Sequence, residues 1–120
     1  MSMTPLATIA HGRSGDKGDH ANVAVIAYTP AGFAWLCDYL TAERVAAVFR
    51  PLWAGEPRVQ RFEAANLRAL NFMLYGVLAG GASRSLRSDT QGKTLALALL
   101  RHEVPTPANL EAMTRRGGPS

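Results

Sequence analysis

The chain has 120 residues, 48% of them apolar, and a formal net charge of +4. That length suits one domain, able to bury roughly two thirds of the surface its unfolded chain exposes. A mean hydropathy of -0.02 argues against disorder, and no apolar run approaches the ~18 residues of a membrane span.

The N-terminus has no basic region leading into an apolar stretch, so no secretory signal is read. Cys37 is the only cysteine. It can form no disulfide within the chain, and the expected location is cytoplasmic. The positive balance comes mainly from arginine: Arg44, Arg50, Arg58, Arg61, Arg68, Arg84, Arg87 and Arg101 are spread along the chain and alternate with acids. Nucleic-acid binding calls for a basic cluster with a recognition motif, and neither is present.

Residues Leu6 to Ala10 form a short apolar run that reads as a first strand. From His11 to His20 follow three glycines and no large apolar side chain, which reads as a loop. Asn22 to Tyr28 is β-branched and nearly all apolar, as suits a strand buried on both faces. Thr29-Pro30 signals a helix start, with Thr as N-cap and Pro at the first helical position. Thr41 repeats the N-cap signal for a helix through Arg44, Val45, Val48 and Phe49, which Pro51 stops. Arg58 to Glu63 alternates as a strand with one wet face.

Asn66 then reads as the cap of a helix carrying Leu67, Leu70, Phe72, Met73, Leu74, Val77 and Leu78. It is apolar most of the way round, as a central buried helix would be. Gly80-Gly81 ends it. Ala82 to Arg87 reads as a fourth strand. A last helix, capped by Ser88, Asp89 or Thr90, runs through Leu95, Leu97, Leu99 and Leu100 to about Glu103. Residues 105–120 read as a loose tail behind a domain of residues 1–104, with a short helix docking near Ala108 to Met113. Strands and helices in this order predict a two-layer α+β sandwich, a four-stranded sheet with helices on one face.

Reactive groups crowd into the segment His11 to Asn22: His11, Arg13, Ser14, Asp16, Lys17, Asp19 and His20. Asp16 or Asp19 with His20 can make an acid–base pair. His11, Asp16, Asp19 and His20 can also be imagined around a metal, but their spacing matches no metal pattern. The competing reading is a glycine-rich turn whose aspartates accept from backbone N–H groups. The glycines recur every third residue, which is not a dinucleotide fingerprint. Gly92-Lys93-Thr94 resembles the end of a phosphate-binding loop, yet Arg87 stands where that motif requires glycine. Arg84, Arg87 and Lys93 remain candidates to receive a phosphate or carboxylate ahead of a helix N-terminus. Asn71, flanked by Leu70 and Phe72, is a buried amide that must bond a loop backbone or a ligand. Cys37 reads as a packing residue.

The segment Arg13-Ser-Gly-Asp-Lys-Gly-Asp-His-Ala-Asn-Val-Ala resembles the signature of the acyclic terpene utilisation A (AtuA-like) family. Asn66-Leu-Arg-Ala-Leu-Asn-Phe and Gly80-Gly-Ala-Ser-Arg-Ser-Leu-Arg-Ser-Asp-Thr-Gln-Gly-Lys are similar to it too, in the same order. The resemblance spans about Leu6 to Glu103. It implies a ferredoxin-like fold, and a pathway context of acyclic terpene breakdown through coenzyme A thioesters. In larger members the domain follows a much bigger one, which this chain lacks. Tyr75 stands where much of the family is expected to carry His.

The leading expectation is a stand-alone AtuA-like domain serving as an accessory or small subunit beside a larger AtuA-like partner chain. Asp16 and Lys17 would be its working pair, Asn22 would fix the loop exit, and Arg84 and Lys93 would receive an anionic group. The alternatives are a self-contained enzyme or binder of acyl-CoA-like ligands using Asp16, Asp19 or His20, and a nucleic-acid-binding module. No cofactor is named by the sequence. A free sheet edge, or the helix Leu67–Leu78, would permit a homo-oligomer without specifying one.

Overall fold

The computed structural model describes residues 2–78 and 93–115, without the side chains of 93 and 94. In chain order it contains β1 (Met3–Pro5), β2 (Ala10–Lys17), β3 (His20–Ala27), α1 (Pro30–Tyr39), α2 (Ala42–Phe49), β4 (Val59–Ala64), β5 (Ala69–Leu74), α3 (Lys93–Arg101) and β6 (Glu103–Pro105), with short 3-10 turns between some of them. The strands β2-β3-β5-β4 form one antiparallel four-stranded sheet in that order, and β1 pairs with β6. A two-layer α+β sandwich with a four-stranded sheet is therefore present, though several of its members differ from those expected.

The segment Leu6 to Ala10 is a 3-10 turn over Leu6–Thr8 that enters β2, not a strand. Residues 11–17 are a strand rather than a loop. They pair with β3 along their length, from His11 opposite Ile26 to Lys17 opposite His20. Gly18 and Asp19 make the two-residue turn, and Gly18 takes φ +62° there, a conformation glycine adopts without the penalty a Cβ would bring. Glycine also has a steric reason at Gly12. A Cβ at that position would lie 2.7 Å from the Ala24 carbonyl oxygen and 3.6 Å from Leu100 of α3.

The expected central helix over Asn66 to Leu78 is the largest correction. Ala65–Leu67 is a 3-10 turn, Arg68 takes the left-handed conformation at φ 53°, and 69–74 is a strand. The hairpin sets Ala64 opposite Ala69. Leucines at 67, 70, 74 and 78 mimic a helical stripe, but Leu70, Phe72 and Leu74 also alternate at period two. The alternation holds: those side chains are fully buried, while Leu67 is 64% exposed. The expected strand Ala82 to Arg87 lies outside the described residues.

Both helix caps match expectation. Thr29 Oγ1 accepts from the Gly32 N–H at 3.0 Å, and Thr41 Oγ1 accepts from the Arg44 N–H at 3.1 Å. Helix α1 has no basic residue in its last turn. Arg61, reaching from β4, donates to the carbonyls of Cys37 and Leu40 at 2.9 and 3.1 Å instead. The last helix ends at Arg101, earlier than expected, and gives way to β6.

The helices share one face of the sheet. Val23, Val25, Leu70, Phe72 and Leu74 from the strands meet Leu36, Val45, Phe49, Leu95 and Leu99 from the helices in one core. The two ends of the chain are stitched together below it. The Leu6 N–H donates to the His102 carbonyl at 3.0 Å, and the Thr4 and Thr106 hydroxyls lie 2.7 Å apart. Beyond β6 the chain makes a 3-10 turn over Leu110–Ala112, and Met113 is buried at 3% exposure. Among the described residues no helix is long and apolar enough to cross a membrane.

Replacing Gly12 with Ala should lower unfolding free energy by about 1–3 kcal/mol, because the neighbouring strand backbone at Ala24 must give way. Thr29→Ala should cost ~1–2 kcal/mol through the lost buried cap. Denaturant titration reads both, and an unchanged midpoint for Gly12→Ala would contradict the close approach of Gly12 and Ala24.

Candidate functional site

Strand alternation sorts the residues of the hairpin onto two faces. Ala10, Gly12, Ser14 and Asp16 stand opposite Ala27, Val25, Val23 and Ala21, on the helix side. His11, Arg13, Gly15 and Lys17 stand opposite Ile26, Ala24, Asn22 and His20, on the other side. Asp16 and Lys17, expected as a working pair, therefore point to opposite faces of the sheet. Both are exposed. His11 and His20 share a face but lie at opposite ends of the β2–β3 hairpin, about 20 Å apart at ~3.3 Å per residue. Their distance rules out a common metal. Among the described residues no three His, Cys, Asp or Glu side chains converge.

Ser14 has a structural task. Its Oγ accepts from the Ala96 N–H at 3.3 Å, which ties β2 to α3. The same place forms a recess of about 360 Å³ lined by Gly12, Arg13, Ser14, Ala96 and Leu97. Leu97 is 52% exposed there. A larger recess, about 970 Å³, follows the C-terminal segment from Thr106 to Thr114 and takes no residue from the hairpin. Arg84 and Arg87 lie outside the described residues. Lys93 opens α3, and its side chain is not among those described.

No described element covers the second face of the sheet. Asn22 lies in mid-strand rather than at a loop exit. Its Nδ2 donates to Asn71 Oδ1 at 3.3 Å. Asn71, on β5, is opposite Ala24, so the amides meet diagonally across the centre of the face. Gly15 makes room for them, since a Cβ there would come within 3.1 Å of Asn22 Oδ1. Ala24, Ile26 and Met73 surround this amide pair, half-buried, and Phe62 on β4 is 44% exposed.

At the hairpin end, His20 Nδ1 accepts from the Gly76 N–H at 2.8 Å. An accepting Nδ1 places the imidazole proton on Nε2, so the free edge of the ring donates rather than abstracts a proton. The ring also meets Tyr75 edge-on at 5.5 Å. Arg58 lies 4.9 Å above Tyr75, whose hydroxyl donates to Gln60 Oε1 at 2.8 Å. The Leu78 N–H donates to the Asp19 carbonyl at 2.9 Å. The turn of the hairpin thus clasps the chain as it leaves β5. At the far end, His11 stacks on Tyr28 at 5.4 Å.

A family model for the AtuA ferredoxin-like domain matches residues 4–105. The chain belongs to that family. No curated protein and no solved structure matches it. Among the described residues, the AtuA ferredoxin-like domain in this chain therefore presents an uncovered sheet face with an amide pair at its centre and an aromatic–cation cluster at one end.

Reading the hairpin as a loop hid this surface. Arg58, Gln60, Phe62, Met73 and Tyr75, none of them singled out as a site residue, belong to it. The alternation of 69–74 was the signal that could have found them. Cys37 is half-buried against the core, and burial, followed by the nearby Glu63 carboxylate, pushes its thiol up from the ordinary value. A raised thiol holds less nucleophilic thiolate at neutral pH.

Three outcomes check this geometry. Asn22→Ala and Asn71→Ala should each destabilise the fold, and the double variant should show a coupling of about 1 kcal/mol. His20→Ala should speed hydrogen exchange at the Gly76 amide while the central β5 amides stay protected, as read by amide NMR. Cys37 should alkylate more slowly at pH 7 than an unstructured cysteine peptide; an equal rate would contradict its raised thiol.

Proposed function

We propose that this AtuA ferredoxin-like domain is an accessory or small subunit that docks on a larger chain through the uncovered face of its sheet. The observation that carries the reading is the grouping of exposed Phe62 with half-buried Ile26 and Met73 around the Asn22–Asn71 pair. Apolar side chains grouped on one face and ringed by polar ones mark a protein-interaction surface. The amide pair supplies direction in such a contact, because amides demand partners wherever water is excluded. In this reading the larger chain acts in acyclic terpenoid breakdown through coenzyme A thioesters, a context the family resemblance supports, and both proteins are cytoplasmic.

A tagged chain should copurify from its source cells with a larger protein in equal amounts. Phe62→Glu and Met73→Glu should abolish that recovery while leaving the melting temperature within a few degrees, since neither side chain is in the core. Recovery that survives both substitutions would overturn docking through this face.

A second reading is supported by the recess beside α3. Its volume falls in the range of small-molecule sites, and it lies between β2 and α3 at Gly12, Ser14 and Ala96, so it would suit an acyl-CoA-like ligand. Coenzyme A derivatives titrated against the isolated chain should then shift the amides of Gly12, Ser14 and Ala96 rather than those of the open face.

A further inference from the structure

Charge on the strands is sorted by face. Arg13 and Lys17 of β2, and Arg58 just ahead of β4, belong to the open side and are exposed. Arg58 is placed there by its contact with Tyr75. The strand carboxylates take the other side. Asp16 stands opposite Ala21, and Glu63 stands opposite Leu70. Glu63 is already engaged by Arg61 at 2.8 Å. Arg61 is the strand cation on the helix side, and its charge is spent on Glu63 and the end of α1. Among the described residues, no strand position on the open face carries a carboxylate, and no carboxylate pairs with Arg13, Lys17 or Arg58.

We infer that the surface docking here is a protein surface rimmed by Asp and Glu around an apolar centre. The inference rests on the docking reading above and adds the chemistry of the partner. The cations stand toward the ends and edges of the face, and the apolar side chains and the amide pair lie between them. A complementary surface would place carboxylates at its rim and aliphatic or aromatic side chains at its middle. A second copy of this chain fits badly. Laid face to face, two copies would bring only cations together, with no carboxylate to separate them. A polynucleotide is less suited, because stacking along a strand needs several free ring faces, and of the described rings on this side Phe62 is the exposed one. Arg58 already covers one face of Tyr75, and Tyr28 is stacked on His11. Charged rims act mainly on encounter, so the contact should weaken as salt rises.

The test uses the intact chain, isotope-labelled for amide NMR, and an Asp/Glu-rich peptide interspersed with Leu and Phe. The peptide should shift the amides of Arg13, Lys17, Asn22, Phe62 and Met73, and a Gln-for-Glu version should not. Arg13→Glu combined with Lys17→Glu should weaken binding about tenfold without lowering the melting temperature. The corresponding Gln pair should fall between, which separates charge from a fold defect. Shifts confined to the helix side, no binding, or tighter binding of oligothymidylate would each overturn the inference. The peptide titration needs no larger chain. If a larger chain copurifies but ignores both salt and the Glu pair, docking stands and the acidic partner falls. If none copurifies while the peptide binds as stated, the subunit reading falls and the surface chemistry stands.

Discussion

Strand β3 is hydrogen-bonded on both sides, to β2 along one edge and to β5 along the other. That double pairing removes any freedom in its register. A slip of one residue would turn Ala21, Val23, Val25 and Ala27 away from the helices and drive Asn22 and Ala24 into the core. Everything of functional interest follows from this constraint. The same alternation that buries the valines brings Asn22 to the opposite face, where Asn71 is waiting on the neighbouring strand.

The helix side depends on small residues in β2. Gly12 lies in contact with Leu100 of α3, and Ser14 accepts a hydrogen bond from Ala96 of that helix. A segment that looks designed for reactivity is thereby partly occupied with architecture. Gly12 admits the Ala24 carbonyl, Ser14 bonds α3, Gly18 makes the turn, and His20 holds the exit of β5. The polar residues left over are Arg13, Lys17 and Asp16, and the sheet sends the cations to one side and the carboxylate to the other.

Arg61 shows how the two layers are tied. An arginine on the buried side of an edge strand would ordinarily be costly. Here it finishes α1, which lacks a basic residue of its own in the last turn, and its remaining charge meets Glu63. Among the described strand residues, this leaves Arg61 matched by Glu63 on the helix side and Arg13 and Lys17 unmatched on the open side.

The class of fold, the paired threonine caps, the apolar strand after Asn22 and the packing role of Cys37 were all legible along the chain, because each depends on neighbours within a few residues. The family signature was legible for the same reason. Misreading fell on segments whose local pattern supports two structures. Residues 66–78 satisfy helical and strand spacing alike, and the choice goes to the strand because Ala64 and Ala69 close a hairpin that lets Phe72 fill the core beneath the helices. Residues 11–17 read as a loop because glycine is a poor strand former in isolation, and only the approach of the Ala24 carbonyl to Gly12 and of Asn22 to Gly15 explains why side chains are missing there. The sequence by itself determined which residues are apolar, which cap helices and to which family the chain belongs. Tertiary structure alone decided which polar residues share a face, since that depends on the register between strands far apart in the chain and not on any spacing within one of them.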